Sequence, residues 1–331
     1  DEVIHDLIMN ARDSEGYSDS KGIFSARKAI MQYCQLKKFP NVDIDDIYLG
    51  NGVSELIVMS MQGLLDNGDE VLVPMPDYPL WTAAVSLAGG NAIHYICDEA
   101  AEWYPDIDDI KSKITSNTKA IIIINPNNPT GGLYTPEEMN QIREMVKKHN
   151  LYLISDEVYR EFIYAGSPYI SACHLEGLEQ NVILIDSVSK RYSECGIRIG
   201  AFVTRNEAVR KAAMKFCQAR LSPPLLGQIV AEASIEAGQE YITSCYDEYL
   251  KRRDCLIEGL NAIPGVYSPM PMGAFYTIAR LPVEDASDFC AWCLTDFSYE
   301  GQTVMMAPAE GFYITPGLGR DEVRIAYVLK I

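Results

Sequence analysis

The chain of 331 residues is poor in basic residues and has no long apolar run. Its 28 lysines and arginines face 46 aspartates and glutamates, so the formal net charge is -18 at pH 7. This balance argues against nucleic acid and an anionic membrane surface as partners, because both attract a surplus of positive charge. No stretch approaches the roughly 20 apolar residues of a membrane-spanning helix. The N-terminus is charged and lacks the pattern of a secretory signal, and we expect further residues ahead of Asp1.

The patterns of metal sites and disulfide frameworks are also missing. The sequence has four histidines, and none is paired with a cysteine at the spacing of a zinc site. Nine cysteines are scattered along the chain, and an odd count at this length is not typical of a disulfide framework. Cys290 and Cys293 are either neighbours on one helix face or a redox or metal pair. We predict no metal site and a reducing, cytoplasmic location.

Short apolar runs alternate with helical stretches from about residue 47 onward. The four isoleucines at 121–124 are typical of a strand buried on both faces of a parallel sheet. The alternation predicts a mainly parallel sheet covered by helices on both sides. After about residue 205 the pattern changes to a long helical stretch and then a shorter α+β region. We predict an N-terminal segment at 1–40, a large domain at 41–215, and an interdomain helix with a small C-terminal domain at 216–331.

Polar residues follow several of these strands, which is where α/β sheets bind ligands. The strand VILIDS runs into Lys190, and an amine at such a position can attack a carbonyl carbon. The strand LYLIS runs into Asp156, whose carboxylate can accept a hydrogen bond from a protonated ring nitrogen, and Tyr159 follows three residues later. Taken singly, Lys190 can also be a surface lysine and Asp156 a helix N-cap.

A second group of residues suits an anion. Val53 and Ser54 lie in GNGVSE between a strand and a helix, where backbone N–H groups can bind phosphate. Ser187 offers a hydroxyl, and Arg198 offers a forked cation that matches phosphate. An ordinary helix cap is the alternative for the GNGVSE turn.

Three further side chains are candidates for ligand contacts. The rigid turn NPNNPTGG directly follows the isoleucine strand and can aim Asn128 at a ligand, or can serve geometry alone. Tyr78, in PMPDYPLW, can stack on a flat ring or belong to the core. Arg324 lies in the apolar strand EVRIAYVL, and a buried arginine needs an anion, which is either a protein carboxylate or a substrate carboxylate.

The motifs SVSKRYSECGIRIG, NPNNPTG and DEVY resemble those of the class I/II aminotransferases, in the same order and at similar spacing. The resemblance covers essentially the whole chain. It implies the α/β fold of the fold type I enzymes that depend on pyridoxal 5'-phosphate (PLP), with a mostly parallel central sheet sandwiched by helices and a smaller α+β C-terminal domain. It further implies that Lys190 carries PLP as a Schiff base and moves the substrate Cα proton. Asp156 then pairs with the ring nitrogen, while Tyr159 and Asn128 hold the ring oxygen.

The same resemblance assigns the phosphate and the ring face. It implies that Ser187, Arg198 and the amides of Val53 and Ser54 bind the cofactor phosphate. It also implies that Tyr78 stacks on the ring.

Substrate and subunit contacts follow from the resemblance as well. Arg324 matches the arginine that binds the substrate α-carboxylate, and Tyr17 matches a tyrosine that crosses a homodimer interface to the partner's phosphate. Cis peptide bonds are implied at Met75–Pro76 and Asn128–Pro129.

The subfamily resemblance is mixed. The front part, up to WYPDIDDIKSKIT, resembles bacterial alanine (glutamate–pyruvate) aminotransferases, and the part from LYTPEEMNQIR onward resembles a bacterial aspartate aminotransferase. Both imply ping-pong transfer of an amino group from alanine or aspartate to 2-oxoglutarate. Arg220 is then a candidate for the distal carboxylate, with an ordinary salt bridge as the alternative. A β-lyase or decarboxylase on the same fold, or a non-catalytic regulator that retains the fold, is the rival interpretation.

Overall fold

The computed structural model describes residues 2–164, 166, 169–236 and 239–329. A seven-stranded sheet lies at the centre of this described part. Its strands are β1 (Ile47–Asn51), β2 (Glu70–Met75), β3 (Asn91–Ile96), β4 (Thr118–Ile124), β5 (Tyr152–Asp156), β6 (Val182–Ser187) and β7 (Ile199–Val203). Their spatial order is β1-β7-β6-β5-β4-β2-β3. Strand β7 runs antiparallel to both of its neighbours, whereas β2–β3, β2–β4, β4–β5 and β5–β6 pair in parallel. The predicted mainly parallel sheet is therefore confirmed.

Helices cover both faces of this sheet, and the described part of the chain has eleven α-helices in all. They are α1 (Glu2–Asn10), α2 (Phe24–Leu36), α3 (Gly52–Leu64), α4 (Pro79–Leu87), α5 (Ile107–Lys113), α6 (Pro136–His149), α7 (Val188–Arg191), α8 (Glu207–Arg220), α9 (Leu225–Glu236), α10 (Gln239–Asn261) and α11 (Ala286–Thr295). Successive side chains of a strand point to opposite faces. Ile122 and Ile124 of β4 accordingly pack in the core with α3, α4 and α8, while Ile121 and Ile123 pack in the core with α5 and α6. The isoleucine run is continuous because both of its faces are buried.

A smaller antiparallel sheet forms from the C-terminal part of the chain. Its strands are β8 (Tyr276–Arg280), β9 (Ala307–Pro308) and β10 (Glu322–Ala326), in the order β8-β10-β9. Ala286 and Cys290 of α11 pack against Ala279 and Val323 of this sheet. The α+β character that the sequence indicated for this region is present, and the exact domain limits remain a prediction.

Disulfides, metal sites and membrane-spanning helices were also considered from the sequence. All nine cysteines are free. Within the described ranges, no cluster of histidine, cysteine, aspartate or glutamate side chains has the arrangement of a metal site. None of the described helices combines the length and apolarity needed to cross a membrane.

Candidate active site

A pocket of about 320 Å³ lies where the carboxyl ends of β4, β5 and β6 meet the first turn of α3. Ten of the twelve site residues predicted from the sequence line it, and Tyr17 and Arg220 do not. The lining consists of Val53, Ser54, Tyr78, Ile124, Asn128, Asp156, Val158, Tyr159, Ser187, Ser189, Lys190, Cys195, Arg198, Tyr276 and Arg324. The pocket thus gathers residues from six separate sequence motifs, five of which follow strands of the large, mainly parallel sheet.

Lys190 is half-buried and stands on the one-turn helix α7, directly after β6. Ser187 caps the N-terminus of this helix, and its Oγ accepts a hydrogen bond from the Ser189 N–H at 3.0 Å and donates one to the Ile199 carbonyl at 3.1 Å. The Lys190 amine lies 3.7 Å from the Cys195 Sγ. Among the described residues no carboxylate lies within ion-pair distance of this amine. The nitrogen is therefore available to react with a ligand in the pocket.

Asp156 ends β5 and is only 3% exposed. Burial raises the pKa of Asp156 to about 7, although a hydrogen bond from the Val158 N–H, 3.4 Å from Oδ1, favours the ionised form. A cationic N–H group facing this carboxylate would lower its pKa again and be held by it. The site is thus suited to a ligand that carries a protonated ring nitrogen.

The first turn of α3 offers backbone N–H groups at the same pocket. Asn51 makes no side-chain cap, and Glu55 turns back to accept the Asn51 N–H at 2.7 Å. Gly52 has a φ of 76°, and a Cβ at this position would collide with the guanidinium of Arg198. The arginine therefore lies directly against a helix N-terminus, and the two together form a site for an anion.

Arg324 projects from β10 into the pocket, and none of the carboxylates in the described ranges lies within ion-pair distance of it. Its Nη1 donates to Asn128 Oδ1 at 3.2 Å, and its guanidinium lies 4.8 Å from the centroid of the Tyr276 ring and 5.1 Å from that of Phe312. An amide oxygen and two aromatic faces orient the cation but leave its charge uncompensated. Of the two anions considered from the sequence, this arrangement favours a ligand carboxylate.

Three peptide bonds of the described residues are cis, and two of them lie in the turn that carries Asn128. Met75–Pro76 and Asn128–Pro129 are cis, as the resemblance implied, and Asn125–Pro126 is cis as well. The Asn128 side chain is 7% exposed, so its amide is committed to the pocket and to Arg324.

Sequence reasoning missed five residues of the lining. Ser189 and Cys195 lie inside the motif around Lys190, so their closeness to the lysine was the available signal. Ile124 and Val158 are the immediate neighbours of predicted elements. Tyr276 gave no signal, because its contact with the Tyr159 hydroxyl, 3.2 Å away, joins residues 117 positions apart.

Two predicted residues lie elsewhere. The Tyr17 side chain is 82% exposed and is not brought to the pocket of its own chain. Arg220 is a correction to the sequence-based expectation: its Nη1 pairs with Glu55 Oε2 at 2.5 Å, and its Nη2 donates to the carbonyls of Ser20 and Leu49 at 3.0 and 3.1 Å. These bonds use the guanidinium to fix α8 against the first turn of α3. The salt bridge that was the alternative interpretation is the arrangement observed.

The fold and the site define a class before any individual relative is considered. The architecture is that of the fold type I aminotransferases: the crystal structure of an aminotransferase from Escherichia coli superposes with a TM-score of 0.89 at 36% sequence identity, over 99% of this chain and 82% of that chain. The chain belongs to the aminotransferase class I and II family, whose sequence profile matches residues 2–327. It is accordingly an aminotransferase, acting on amino acids and oxo acids.

Two curated relatives correspond to the two resemblances found in the sequence. The chain is 43% identical over 289 residues to the glutamate-pyruvate aminotransferase AlaA of Escherichia coli, and this alignment covers 85% of this chain and 71% of that protein. It is 26% identical over 319 residues to the aspartate aminotransferase of Rhizobium meliloti, over 92% of this chain and 77% of that protein. Over the aligned residues, the identity to the glutamate-pyruvate enzyme is the greater one.

Proposed function

We propose that this chain is a PLP-dependent aminotransferase that exchanges amino groups between alanine and 2-oxoglutarate by a ping-pong sequence. The observation that carries the proposal is one pocket that combines a reactive lysine, a buried carboxylate and an anion-binding helix end. Alanine rather than aspartate is the preferred donor because the chain is 43% identical to a relative named for glutamate and pyruvate, and 26% identical to one named for aspartate.

The donor set of the pocket fits PLP at each of its functional groups. The amine of Lys190 suits the aldehyde, and the carboxylate of Asp156 suits a protonated pyridine nitrogen. Arg198 and the N–H groups of Val53 and Ser54 suit the phosphate. When bound, PLP supplies an electron sink that stabilises negative charge on the substrate Cα.

Ring contacts come from the remaining side chains of the pocket. Tyr159 and Asn128 would hold the ring oxygen, and Tyr78, at the start of α4, would cover the ring face. In the present arrangement the Ser187 hydroxyl donates to the Ile199 carbonyl, so it would have to redirect its hydrogen to donate to the phosphate.

The protein side chains also orient the substrate and move its proton. Arg324 would bind the α-carboxylate, with Asn128 keeping the guanidinium in place. Lys190 lines the same pocket as Arg324, so its amine would be the base that reaches the substrate Cα–H bond. The lysine would take the proton from Cα and return it on the cofactor side, a proton transfer that the conversion of amino acid to oxo acid requires in addition to hydrolysis by water.

We further propose that the protein works as a homodimer. Tyr17 is 82% exposed here, and a tyrosine hydroxyl at this position can complete the phosphate site of a second copy.

An amino-donor panel with purified protein and added PLP tests this function. Alanine with 2-oxoglutarate should yield pyruvate and glutamate, faster than aspartate yields oxaloacetate, and Lys190→Ala should abolish both reactions. Ammonia released without an acceptor oxo acid would indicate a β-lyase instead. Absence of amino transfer with every donor, in protein that has bound PLP, would contradict the proposal.

A further inference from the structure

Behind the pocket lies a buried network of charged side chains that the proposed reaction does not use directly. Three pocket residues are each followed in the chain by a charged residue that is buried outside the pocket lining. The pairs are Asp156 with Glu157, Tyr159 with Arg160, and Lys190 with Arg191. Burial of so many charges is costly unless they are paired, so their contacts require a physical reason.

Asp186 connects two of these charged residues. It is 3% exposed and precedes Ser187 at the end of β6. Arg191 Nη2 donates to both of its carboxylate oxygens, at 2.8 and 2.7 Å, and Arg160 Nη1 lies 3.4 Å from Oδ2. Burial raises the pKa of Asp186, but the two arginines more than offset this effect and hold the pKa below its usual range. The carboxylate is thus ionised and shared by two cations.

The strand geometry places this network on the far side of the sheet from the pocket. Ile185 packs in the core with α3, and Leu184 packs in the core with α2. By the alternation of a strand, Asp186 faces the same side as Leu184. There the Arg191 guanidinium lies 3.6 Å from the centroid of the Tyr33 ring, which belongs to α2.

The other partners leave little freedom to move. Arg160 also donates from Nε to Glu157 Oε2 at 3.0 Å and from Nη1 to the Tyr33 hydroxyl at 3.3 Å. Glu157 Oε1 in turn accepts bonds from the hydroxyls of Ser155 and Ser171 at 2.8 and 2.9 Å. A buried network with this many hydrogen bonds fixes the backbone segments from which its members project, although Arg160 Nη2 and Arg191 Nε have no hydrogen-bond partner among the described residues.

Lys190 depends on such support because α7 has only four residues. A single helical turn is not stable by itself, since its nucleation is unfavourable. Its first residues are held by the Ser187 cap, and its last residue, Arg191, is held by Asp186. The Tyr159 segment is attached to the same carboxylate through Arg160.

We propose that Asp186 is a positioning residue, which fixes Lys190 and Tyr159 relative to each other by binding Arg191 and Arg160 from behind the pocket. This inference rests on the proposed function, because it assumes that Lys190 and Tyr159 act on one cofactor. It adds a requirement that the pocket lining does not reveal: the geometry of the reacting amine is set by a carboxylate that touches neither substrate nor cofactor.

The test compares Asp186→Asn with Asp46→Asn, a matched control far from the pocket. Asp46 is 4% exposed and accepts a bond from Arg210 Nη1 at 2.8 Å, so both variants remove a buried charge that pairs with arginine. Three properties are measured in PLP-loaded protein: kcat and KM for alanine, the pH midpoint of the cofactor absorbance change, and urea stability. Arg191→Gln and the double variant with Asp186→Asn complete a cycle.

The expected result separates positioning from a purely structural role. Asp186→Asn should lower kcat by about 10- to 100-fold with little change in KM, because a misplaced reacting group slows the reaction without weakening binding. The absorbance midpoint should move to lower pH, since the variant removes one negative charge while both arginines remain, although Arg160 keeps Glu157 and Arg191 keeps Glu161 as a neighbour, and the added net positive charge disfavours a further one at Lys190. The double variant should lose no more kcat than the worse single variant. Asp46→Asn should lower the stability to urea and leave kcat, KM and the absorbance midpoint unchanged.

Each contrary result has a distinct meaning. The positioning role is overturned if Asp186→Asn keeps the wild-type kcat and absorbance midpoint and loses only stability, as Asp46→Asn does. In that case the spectrum and activity of the wild type would still support the proposed function. If Asp186→Asn does not fold, Arg191→Lys decides: it keeps the charge but loses the doubled bond, and wild-type kcat in this variant would refute the inference. A wild type that binds no PLP would instead refute the proposed function.

Discussion

Replacing Asp156 by asparagine should remove a pH dependence from the stability of the cofactor-free protein. The carboxyl group is 3% exposed, and burial raises its pKa from 3.8 to about 7. Between about pH 4 and pH 7 the folded state therefore keeps a proton that the unfolded chain has released. The stability contributed by this proton is complete at about pH 4 and is lost as the pH rises through 7. Asparagine has nearly the same shape but does not titrate.

The magnitude follows from the two pKa values. At about 1.4 kcal/mol for each pKa unit, the rise from 3.8 to about 7 corresponds to about 4 kcal/mol. The free energy of unfolding of wild type, relative to Asp156→Asn, should thus fall by about 4 kcal/mol between pH 4 and pH 8. Other buried carboxyl groups, such as Asp77 and Glu138, also have a raised pKa, but they are present in both proteins and cancel in the difference.

Urea unfolding of both proteins without cofactor, repeated across this pH range, measures the difference directly. A difference that stays flat from pH 4 to pH 8 would refute the reasoning, since Asp156 would then be ionised in the folded protein without any ring nitrogen opposite it. Addition of PLP should stabilise wild type more than Asp156→Asn at neutral pH, because only the carboxylate forms a charge-assisted bond to a protonated ring.

Four further variants test other parts of the structure. Gly52→Ala places a Cβ against Arg198 at a φ of 76°, so PLP affinity, followed by absorbance titration, should fall by about tenfold or more; unchanged affinity would count against the anion site. Arg324→Ala should lower kcat/KM for alanine by about 100-fold. Arg220→Ala should leave the KM for 2-oxoglutarate unchanged and lower the free energy of unfolding, because it removes the pair with Glu55. A raised KM for 2-oxoglutarate at unchanged stability would restore the substrate role first assigned to Arg220. Tyr17→Ala should weaken PLP retention in a dimer of unchanged sedimentation, and full retention would remove Tyr17 from the phosphate site.

Local sequence patterns carried much of the site because each predicted group follows a strand. Lys190, Asp156 and Asn128 come directly after buried apolar runs, and parallel strands bring their carboxyl ends to one edge. The order of strands in the sheet, by contrast, depends on pairing between distant segments. The small antiparallel sheet that supplies Arg324 was recognisable only as a region of mixed character.

Long-range side-chain contacts could not be read from the sequence. The sequence left Arg220 open between a substrate carboxylate and an ordinary salt bridge, because its partner Glu55 lies 165 positions away. The buried contact between Arg160 and Tyr33 joins residues 127 positions apart. The motifs showed the charged residues Glu157, Arg160 and Arg191 but not the partners they contact. Such pairings are set by helix packing against the sheet, which determines where a long side chain can reach.

The identity of the reactive amine is the most direct point to examine. Purified protein is incubated with PLP, reduced with borohydride, digested and analysed by peptide mass spectrometry. A reduced PLP adduct confined to Lys190, absent from Lys190→Ala, is the expected result. An adduct on another lysine, or none in protein that has bound PLP, would contradict the assignment of this pocket as the site of cofactor chemistry.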